Sequence, residues 1–490
     1  MPAKTIYVVG VWDLLHTGHI SLLKKAKLLG ESLVVGVHSD EYVFQYKKKR
    51  PIIPYEQRIQ MLSSLGCVDR VIEGPPSNSL TLDWYKLNNI DVHVTTEEYR
   101  HVLTSYVPAR KLGIIKFVDS FNFIHSSDII EHINGQSLNV CIVGGGSAAH
   151  VMVGVLGCRN NISVSVFTRN PLNWSKKVTI SDKSDNILAV GTVANASDDP
   201  SIVQTADVIL IFLPAFARRG VIDSIFPHIR PGTLVGCIPG TGGFQWMAKD
   251  IVKKGMTIFC SQRLPFVCRI LNYGSSVKLF GRKSMMSIAV EPKKEGRRVS
   301  SLLYRMFSIQ NVLLENMLEV TLTPSNPILH PCRMFGLLEG QEDALFDNPP
   351  KFYEEWDQKS VSILKECDAE VQTLCNFYKC KNVLPLIKSY PYLYPGIDEN
   401  LPLIEMLKTN PAYQGIEVPT NKNGQKFSCN YNSRYFTEDV PYGLHILCLL
   451  AEKSNIQCES LNKVYSWCCS VMESHGVLVE TPFCLEDINL

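Results

Sequence analysis

The chain has 490 residues, more than one ordinary domain holds, and its 45% hydrophobic and 20% charged residues suit a globular protein with several cores. A formal net charge of +2 argues against nucleic acid or an acidic membrane surface as a partner. No apolar run approaches the ~18 residues of a membrane span. The sixteen cysteines are scattered, with no C-x-x-C pair and no zinc-type spacing, and Cys141, Cys237 and Cys448 lie inside apolar runs. With a strand beginning at Thr5 in place of a signal peptide, this predicts free thiols, no metal centre and a reducing, cytoplasmic setting.

In chain order, TIYVVG reads as a strand, ISLLKKAKLLG as an amphipathic helix stopped by Gly30, and SLVVGVHSD as a second strand. The alternation continues through RIQMLSSLG, VDRVIEG, IDVHVTT and GIIKFVD. Apolar strands alternating with helices predict a parallel sheet covered on both faces, with ligands beyond the carboxyl ends of the strands. There the first strand runs through Gly10-Val11-Trp12-Asp13-Leu14-Leu15-His16-Thr17-Gly18-His19 into a helix. Two imidazoles at a helix start can donate hydrogen bonds to a phosphate as negative charge builds up. The same i, i+3 pair also suits a metal or a helix cap.

This stretch, with VVGVHSDEYV, the lysines Lys47 to Lys49, KRPIIPYEQRIQML and VDRVI, resembles the cytidylyltransferases that join CTP to phosphoglycerol, phosphocholine or phosphoethanolamine. The resemblance covers nearly all of residues 1–136. It implies a nucleotidyltransferase fold, Mg²⁺ and CTP as cofactors, a phosphorylated alcohol as substrate, and a homo-oligomer formed through this unit. It also implies that Gly10, Trp12, Asp13, His16, His19, Lys48 and Arg58 hold the nucleotide, His16 and His19 stabilising the triphosphate. The family's closing R-T-x-G-I-S-T-T stretch stands here as Ser120-Phe-Asn-Phe-Ile-His-Ser-Ser127, with serine for the arginine and Phe123 for the glycine. A second family stretch, with glycine, two aspartates and tryptophan, stands as Thr96-Glu97-Glu98-Tyr99. Two outcomes stay open for this unit: nucleotidyl transfer, or nucleotide binding without turnover.

After a polar link, Asn134 to Ser137, the stretch from Asn139 to Leu156 reads as a strand, a tight turn and a helix. Gly144, Gly146 and Ala149 stand at G-x-G-x-x-A spacing. The first permits the turn, the second lets a pyrophosphate approach the backbone, and the small third lets the helix pack on the strand. The next strand, ISVSVFTRN, ends at Arg169, where an acidic residue would hold the ribose hydroxyls of NAD. Arginine suits the 2′-phosphate of NADP or is simply solvated, so both NADH and NADPH stand as cofactors. ADVILIFLPAFA and GTLVGCIPGTGGF are further strands whose loops would line the crevice. VCIVGGGSAAH, TRNPLNWSK, LPAFA, PGTGGFQW and LPFVCRI, in this order, resemble the opine dehydrogenases of the octopine and nopaline group. Those enzymes reductively condense an amino acid with a 2-oxo acid using NADH or NADPH.

Beyond TLTPSNPILHP the pattern turns helical, as in KSVSILKECDAEVQTLCNFY and VPYGLHILCLLAEKS. The expected architecture is α/β: a parallel-sheet nucleotidyltransferase domain at 1–136, a Rossmann dinucleotide-binding domain at 138–322, and a mostly α-helical substrate domain at 323–490. A cleft between the last two would bring substrate to the nicotinamide. His330 lies between prolines at that junction, and Arg434 and Asp439 stand five positions apart. A condensation needs a group that gives and takes protons near neutrality, a carboxylate to orient it, and a grip on the acid. The opine dehydrogenase pattern matches His330 to the acid/base, Asp439 to its partner and Arg434 to the carboxylate anchor. By themselves these residues also fit a capping histidine and a surface Arg-Asp pair.

Overall fold

The computed structural model describes residues 4–76, 80–96, 99–100, 106–118, 126, 129, 137–283, 285–393, 398, 400–410 and 413–488. Ser120, Phe123, Ser127, Glu97 and Glu98 lie outside the described residues.

The first sheet contains β1 (Thr5–Gly10), β2 (Ser32–Val37), β3 (Arg70–Glu73), β4 (Val92–Thr96) and β5 (Ile115–Val118), ordered β3-β2-β1-β4-β5 with every pair parallel. Side chains alternate across it. Ile6, Val8, Leu33 and Val35 enter one core with Leu23 and Leu62, whereas Tyr7 and Val34 enter another with Tyr85 and Ala109. The strand order reverses direction between β1 and β4, which opens a crevice at the carboxyl end of β1. The helix there spans Thr17–Lys27 and starts earlier than its apolar periodicity suggests. His16 is its N-cap, with Nδ1 accepting from the Gly18 N–H at 3.2 Å.

The second part is built on β6 (Leu138–Val143), β7 (Ile162–Phe167), β8 (Lys177–Ser181), β9 (Ile187–Thr192), β10 (Asn195–Ser197), β11 (Val208–Ile211), β12 (Leu234–Cys237), β13 (Thr257–Ser261), β14 (Phe266–Asn272), β15 (Ser276–Arg282), β16 (Met285–Glu291) and β17 (Gln310–Leu313). Eight of them form the main sheet, β10-β7-β6-β11-β12-β13-β16-β17, parallel except where β16 meets β13. The other four form a small sheet, β14-β15-β8-β9, which the sequence pattern did not announce. Its short strands come from two hairpins far apart in the chain and meet only where β15 pairs with β8. The helix Ser147–Gly157 shares one core with this small sheet and one face of the main sheet, so it is buried from Ala149 to Leu156. That explains why it is apolar all round.

On the other face, Cys141, Val143, Ile209, Ile211, Val235 and Cys237 belong to a core that continues unbroken into the carboxyl-terminal helices. Those include Asn326–Leu338, Gln358–Phe377, His445–Ser454 and Glu459–Ser474. All sixteen cysteines are free thiols. Among the described residues no helix is long and apolar enough to cross a membrane.

Candidate functional site

The glycine-rich turn after β6 has the geometry its spacing predicts. Gly144 has φ +128°, and a Cβ there would lie 2.6 Å from the Phe212 carbonyl oxygen. At Gly146 a Cβ would meet nothing within 4 Å, so the backbone faces open space. Ala149 is fully buried against the strand. The helix starting at Ser147 has no side-chain cap, which leaves its first N–H groups available to an anion. Arg169 is exposed just past the end of β7.

Opposite this turn lies a cleft of about 690 Å³ lined by Gly146, Ser147, Thr241, His330, Arg434 and Asp439, among others. Its walls are held by Arg218, buried at 3% exposure. Nε donates to the Leu213 carbonyl at 3.0 Å, Nη2 to Pro239 at 3.1 Å and Nη1 to Thr241, tying together the loops after β11 and β12. An open glycine, an uncapped helix start and a cleft of ordinary ligand size together fit a dinucleotide.

His330 does not cap a helix. It lies inside the helix Asn326–Leu338, with Pro327 in the first turn and Pro331 next to it. Its Nδ1 is 2.7 Å from Asp439 Oδ2, and its ring stacks on Tyr435 at 3.9 Å between centroids. A close approach creates this pair: at Gly443 a Cβ would lie 2.4 Å from Pro327 Cβ, so the turn Val440–Leu444 rests directly on the start of the helix. Burial pushes the Asp439 carboxyl up, and the adjacent His330 pulls it back. Because the carboxylate accepts at Nδ1, Nε2 remains for proton exchange, with the Tyr353 hydroxyl 3.4 Å away.

Arg434 sits differently from its sequence expectation. Its side chain is 70% exposed at the cleft rim and is not open on all sides, because Nε donates to Glu438 Oε2 at 2.6 Å and Nη2 pairs with the same oxygen. Glu438 Oε1 in turn accepts from the Ala215 N–H at 2.9 Å, at the start of the helix Ala215–Ile225. Arg434 is thereby anchored to the sheet side of the cleft.

At the carboxyl end of β1 the imidazoles of His16 and His19 stack at 3.9 Å. Nδ1 of His16 is engaged at the cap, so its proton resides on Nε2, and burial lowers its pKa to about 4. The other expected nucleotide ligands are largely committed to the fold. Trp12 is buried, its Nε1 donating to the Gly36 carbonyl at 2.8 Å, and Gly10 leaves room for its indole. Both oxygens of Asp13 accept backbone N–H groups, from Ile52 and Ile53, each at 2.9 Å. Arg58 is fully buried, donating to Ile53, Val11 and His38 carbonyls and pairing with Asp40. Of the lysines, Lys47 has its charge within reach of Asp13 and His38, while Lys48 is an exposed helix C-cap with φ +56°. Ser126 Oγ donates to the Asp13 carbonyl at 2.6 Å, returning the chain to this loop.

Sequence reasoning missed Arg218, Glu438 and Tyr435, and took Lys48 from the run Lys47 to Lys49. Only Glu438 carried a signal, as an acid one turn beyond Arg434.

Residues 313–472 match the family model of the NAD/NADP octopine/nopaline dehydrogenase alpha-helical domain, and residues 7–136 match the cytidylyltransferase-like model. The chain is 27% identical over 389 residues to the tauropine dehydrogenase of Arabella iricolor, spanning 72% of this chain and 95% of the relative. Its fold is that of octopine dehydrogenase solved with NADH and L-arginine, at a TM-score of 0.61 and 24% identity, covering 70% of this chain and 92% of that one. It is 36% identical over 126 residues to the FAD synthase of Thermococcus kodakarensis, spanning 25% of this chain and 83% of the relative. Through residues 7–136 the chain belongs to the cytidylyltransferase-like family, and this unit is joined to a remainder that carries the octopine/nopaline dehydrogenase helical domain.

Proposed function

We propose that the cleft condenses the amino group of an amino acid or related amine with a 2-oxo acid and reduces the product using NADH or NADPH. The observation that carries this reading is that the open backbone at Gly146 and the His330–Asp439 pair line one cleft. Gly144 and Ala149 shape the turn, the helix start at Ser147 receives the pyrophosphate, and Arg169 stands where it can meet a 2′-phosphate. A bound nicotinamide supplies the hydride. His330 Nε2 takes a proton from the attacking amine and returns it to the departing hydroxyl, so that water leaves as the imine forms; Asp439 supports the charged imidazole. Arg434 holds the 2-oxo acid carboxylate with the N–H groups that Glu438 leaves over. In balance, amine, 2-oxo acid, NAD(P)H and one proton give secondary amine, NAD(P)⁺ and water. The names of the relatives, octopine and tauropine dehydrogenases, support the same class. The test is loss of nicotinamide absorbance with pyruvate and a panel of amines. Turnover that disappears in His330→Ala is expected, and equal silence of both proteins across the panel overturns the reading.

A second activity is favoured by the stacked His16–His19 pair at a helix start: nucleotidyl transfer from CTP to a phosphorylated alcohol. Asp13 is occupied, and no cluster of His, Cys, Asp or Glu among the described residues is arranged to hold a metal ion, so no side chain is assigned to Mg²⁺. Pyrophosphate release that requires the nucleotide and disappears in His16→Ala is expected. Nucleotide binding without release leaves a binding module.

A further inference from the structure

We propose that Lys283 is a further catalytic residue of the cleft: its amine captures the 2-oxo acid as a covalent ketimine, from which the incoming amine then displaces it. The step rests on the dehydrogenase reading of the cleft and divides its condensation in two.

Lys283 lines the cleft that holds His330 and Arg434, but it comes from another wall, just past the end of β15. Its backbone N–H donates to the Pro265 carbonyl at 2.9 Å, which ties this turn to the loop between β13 and β14. Arg263 lies in that loop and is itself fixed, its Nη2 donating to the Pro324 carbonyl at 2.8 Å. A lysine that serves the fold has a partner for its charge. Lys278, on β15, has one in Asp185 at 2.7 Å. The half-buried Lys283 ammonium makes no hydrogen bond or ion pair to any described residue. The two acids that line the cleft are already taken, Glu438 by Arg434 and Asp439 by His330. Leu264 and Phe266 line it as well, and apolar surroundings favour the uncharged amine. Burial and the neighbouring Arg263 guanidinium bring the Lys283 pKa down to about 7, so the nucleophilic form is well populated at neutral pH. A compact amine in this state, facing a site that receives a carbonyl compound, is suited to attack it.

The neutral amine adds to C2 of the oxo acid, a C–N bond forms, and the carbonyl oxygen leaves as water. The amine substrate then adds to the same carbon, and the lysine departs as its neutral amine, leaving the substrate imine for the hydride. The overall balance is unchanged, and one difficult condensation becomes two easier steps. His330 moves the protons in both, first with the lysine as the attacking amine and then with the lysine as the leaving group.

The experiment treats the full chain with pyruvate and sodium cyanoborohydride at pH 7.5 and locates the modified residues by peptide mass spectrometry. Turnover is measured separately with pyruvate, NADH or NADPH and a panel of amines. The expected result is a carboxyethyl group on Lys283, formed about ten-fold or more faster than on any other lysine. Lys283→Arg keeps the positive charge and cannot condense. It should lack this adduct and lose about ten-fold or more in kcat, with little change in KM for pyruvate. Modification of Lys283 no faster than that of other lysines overturns the proposal even where turnover is found, and the dehydrogenase reading then stands without it. Turnover by Lys283→Arg equal to wild type also overturns it, because the lysine then acts only as a charge. An adduct on Lys283 with no turnover for any amine upholds the covalent capture and removes the dehydrogenase reading.

Discussion

The five-stranded parallel sheet and the parallel part of the eight-stranded sheet end in the same construction and put it to different chemical use. At the mouth of the first, Arg58 is buried among the carbonyls of Val11, His38 and Ile53; at the mouth of the second, Arg218 is buried among those of Leu213, Pro239 and Thr241. A guanidinium is suited to this because its five N–H groups can satisfy several loop carbonyls that no water reaches. What differs is the surface each brace presents. The first mouth offers imidazoles, on a loop where Trp12 and Leu14 hold positive φ, a conformation costing about 1–3 kcal/mol each. The second offers bare backbone at Gly146. Side chains can act on a reacting phosphate, whereas backbone can only cradle one, so in the second unit chemistry has to come from the facing wall, where His330 stands. One mouth is therefore a site by itself, and the other is half of one.

The largest effect expected from that division is at the facing wall. His330→Ala should lower dehydrogenase turnover by about 10²–10⁴-fold while leaving NADH binding, measured by fluorescence titration, within two-fold of wild type, roughly the split expected when only the acid/base is removed. A parallel loss of NADH affinity would mean that the mouth of the second sheet is not independent of the wall.

The braces come next. Arg58→Met strands three loop carbonyls and Asp40, and should cost about 3–5 kcal/mol in denaturant unfolding. Arg218→Met strands three carbonyls only, and should cost about 3 kcal/mol or more at about 1–3 kcal/mol per orphaned group in a shielded loop. If Arg218→Met proved as stable as wild type, the loops would be held by their own packing and the likeness between the mouths would be superficial.

A smaller effect separates the two glycines. Gly144→Ala has a positive φ and a carbonyl at 2.6 Å against it, and should destabilise by about 1–3 kcal/mol. At Gly146 a Cβ meets nothing within 4 Å, so Gly146→Val should lower stability only by the small cost of a poorer N-cap while weakening NADH binding by at least ten-fold, because its side chain fills the cradle. Reversed outcomes would reverse the assignment of turn and cradle.

Both sheets were legible because apolar strands and amphipathic helices alternate visibly along the chain, and His330, Asp439 and Gly146 were legible because each belongs to a motif. The small sheet β14-β15-β8-β9 was not, since pairing between distant short hairpins leaves no local period. Nor was the fate of Arg58 and Trp12: a motif marks which residues surround a site, but whether a side chain points into it or braces it from behind depends on which carbonyls the fold leaves in need of a donor. For Arg434 the missing element was Glu438, whose role appears only once the start of the helix at Ala215 is beside it.

The smallest effect concerns His16 and reads the difference between the mouths as a dependence on pH. In the folded chain His16 titrates at about 4 because it is buried at the helix cap, and in the unfolded chain it titrates near the ordinary 6.5. Between these values the unfolded chain binds a proton that the folded one refuses, so stability falls as pH falls through the window, and none of this cost is present above 6.5. Asparagine preserves the cap, since its side-chain oxygen can accept the same backbone N–H, and it does not titrate. His16→Asn should therefore match wild type at pH 7.5 and become progressively the more stable of the two as the pH falls toward 4. Taking the difference between the two proteins cancels His38 and His93, which are also lowered by burial and are common to both. Denaturant midpoints that stay parallel from pH 7.5 to 4 would show that His16 is not held neutral, and a charged imidazole at this cap would place the first mouth closer to a fixed cationic site than to a pair of neutral donors. The same experiment on Gly146→Val should show no pH dependence of the difference, because backbone at the second mouth has nothing to titrate.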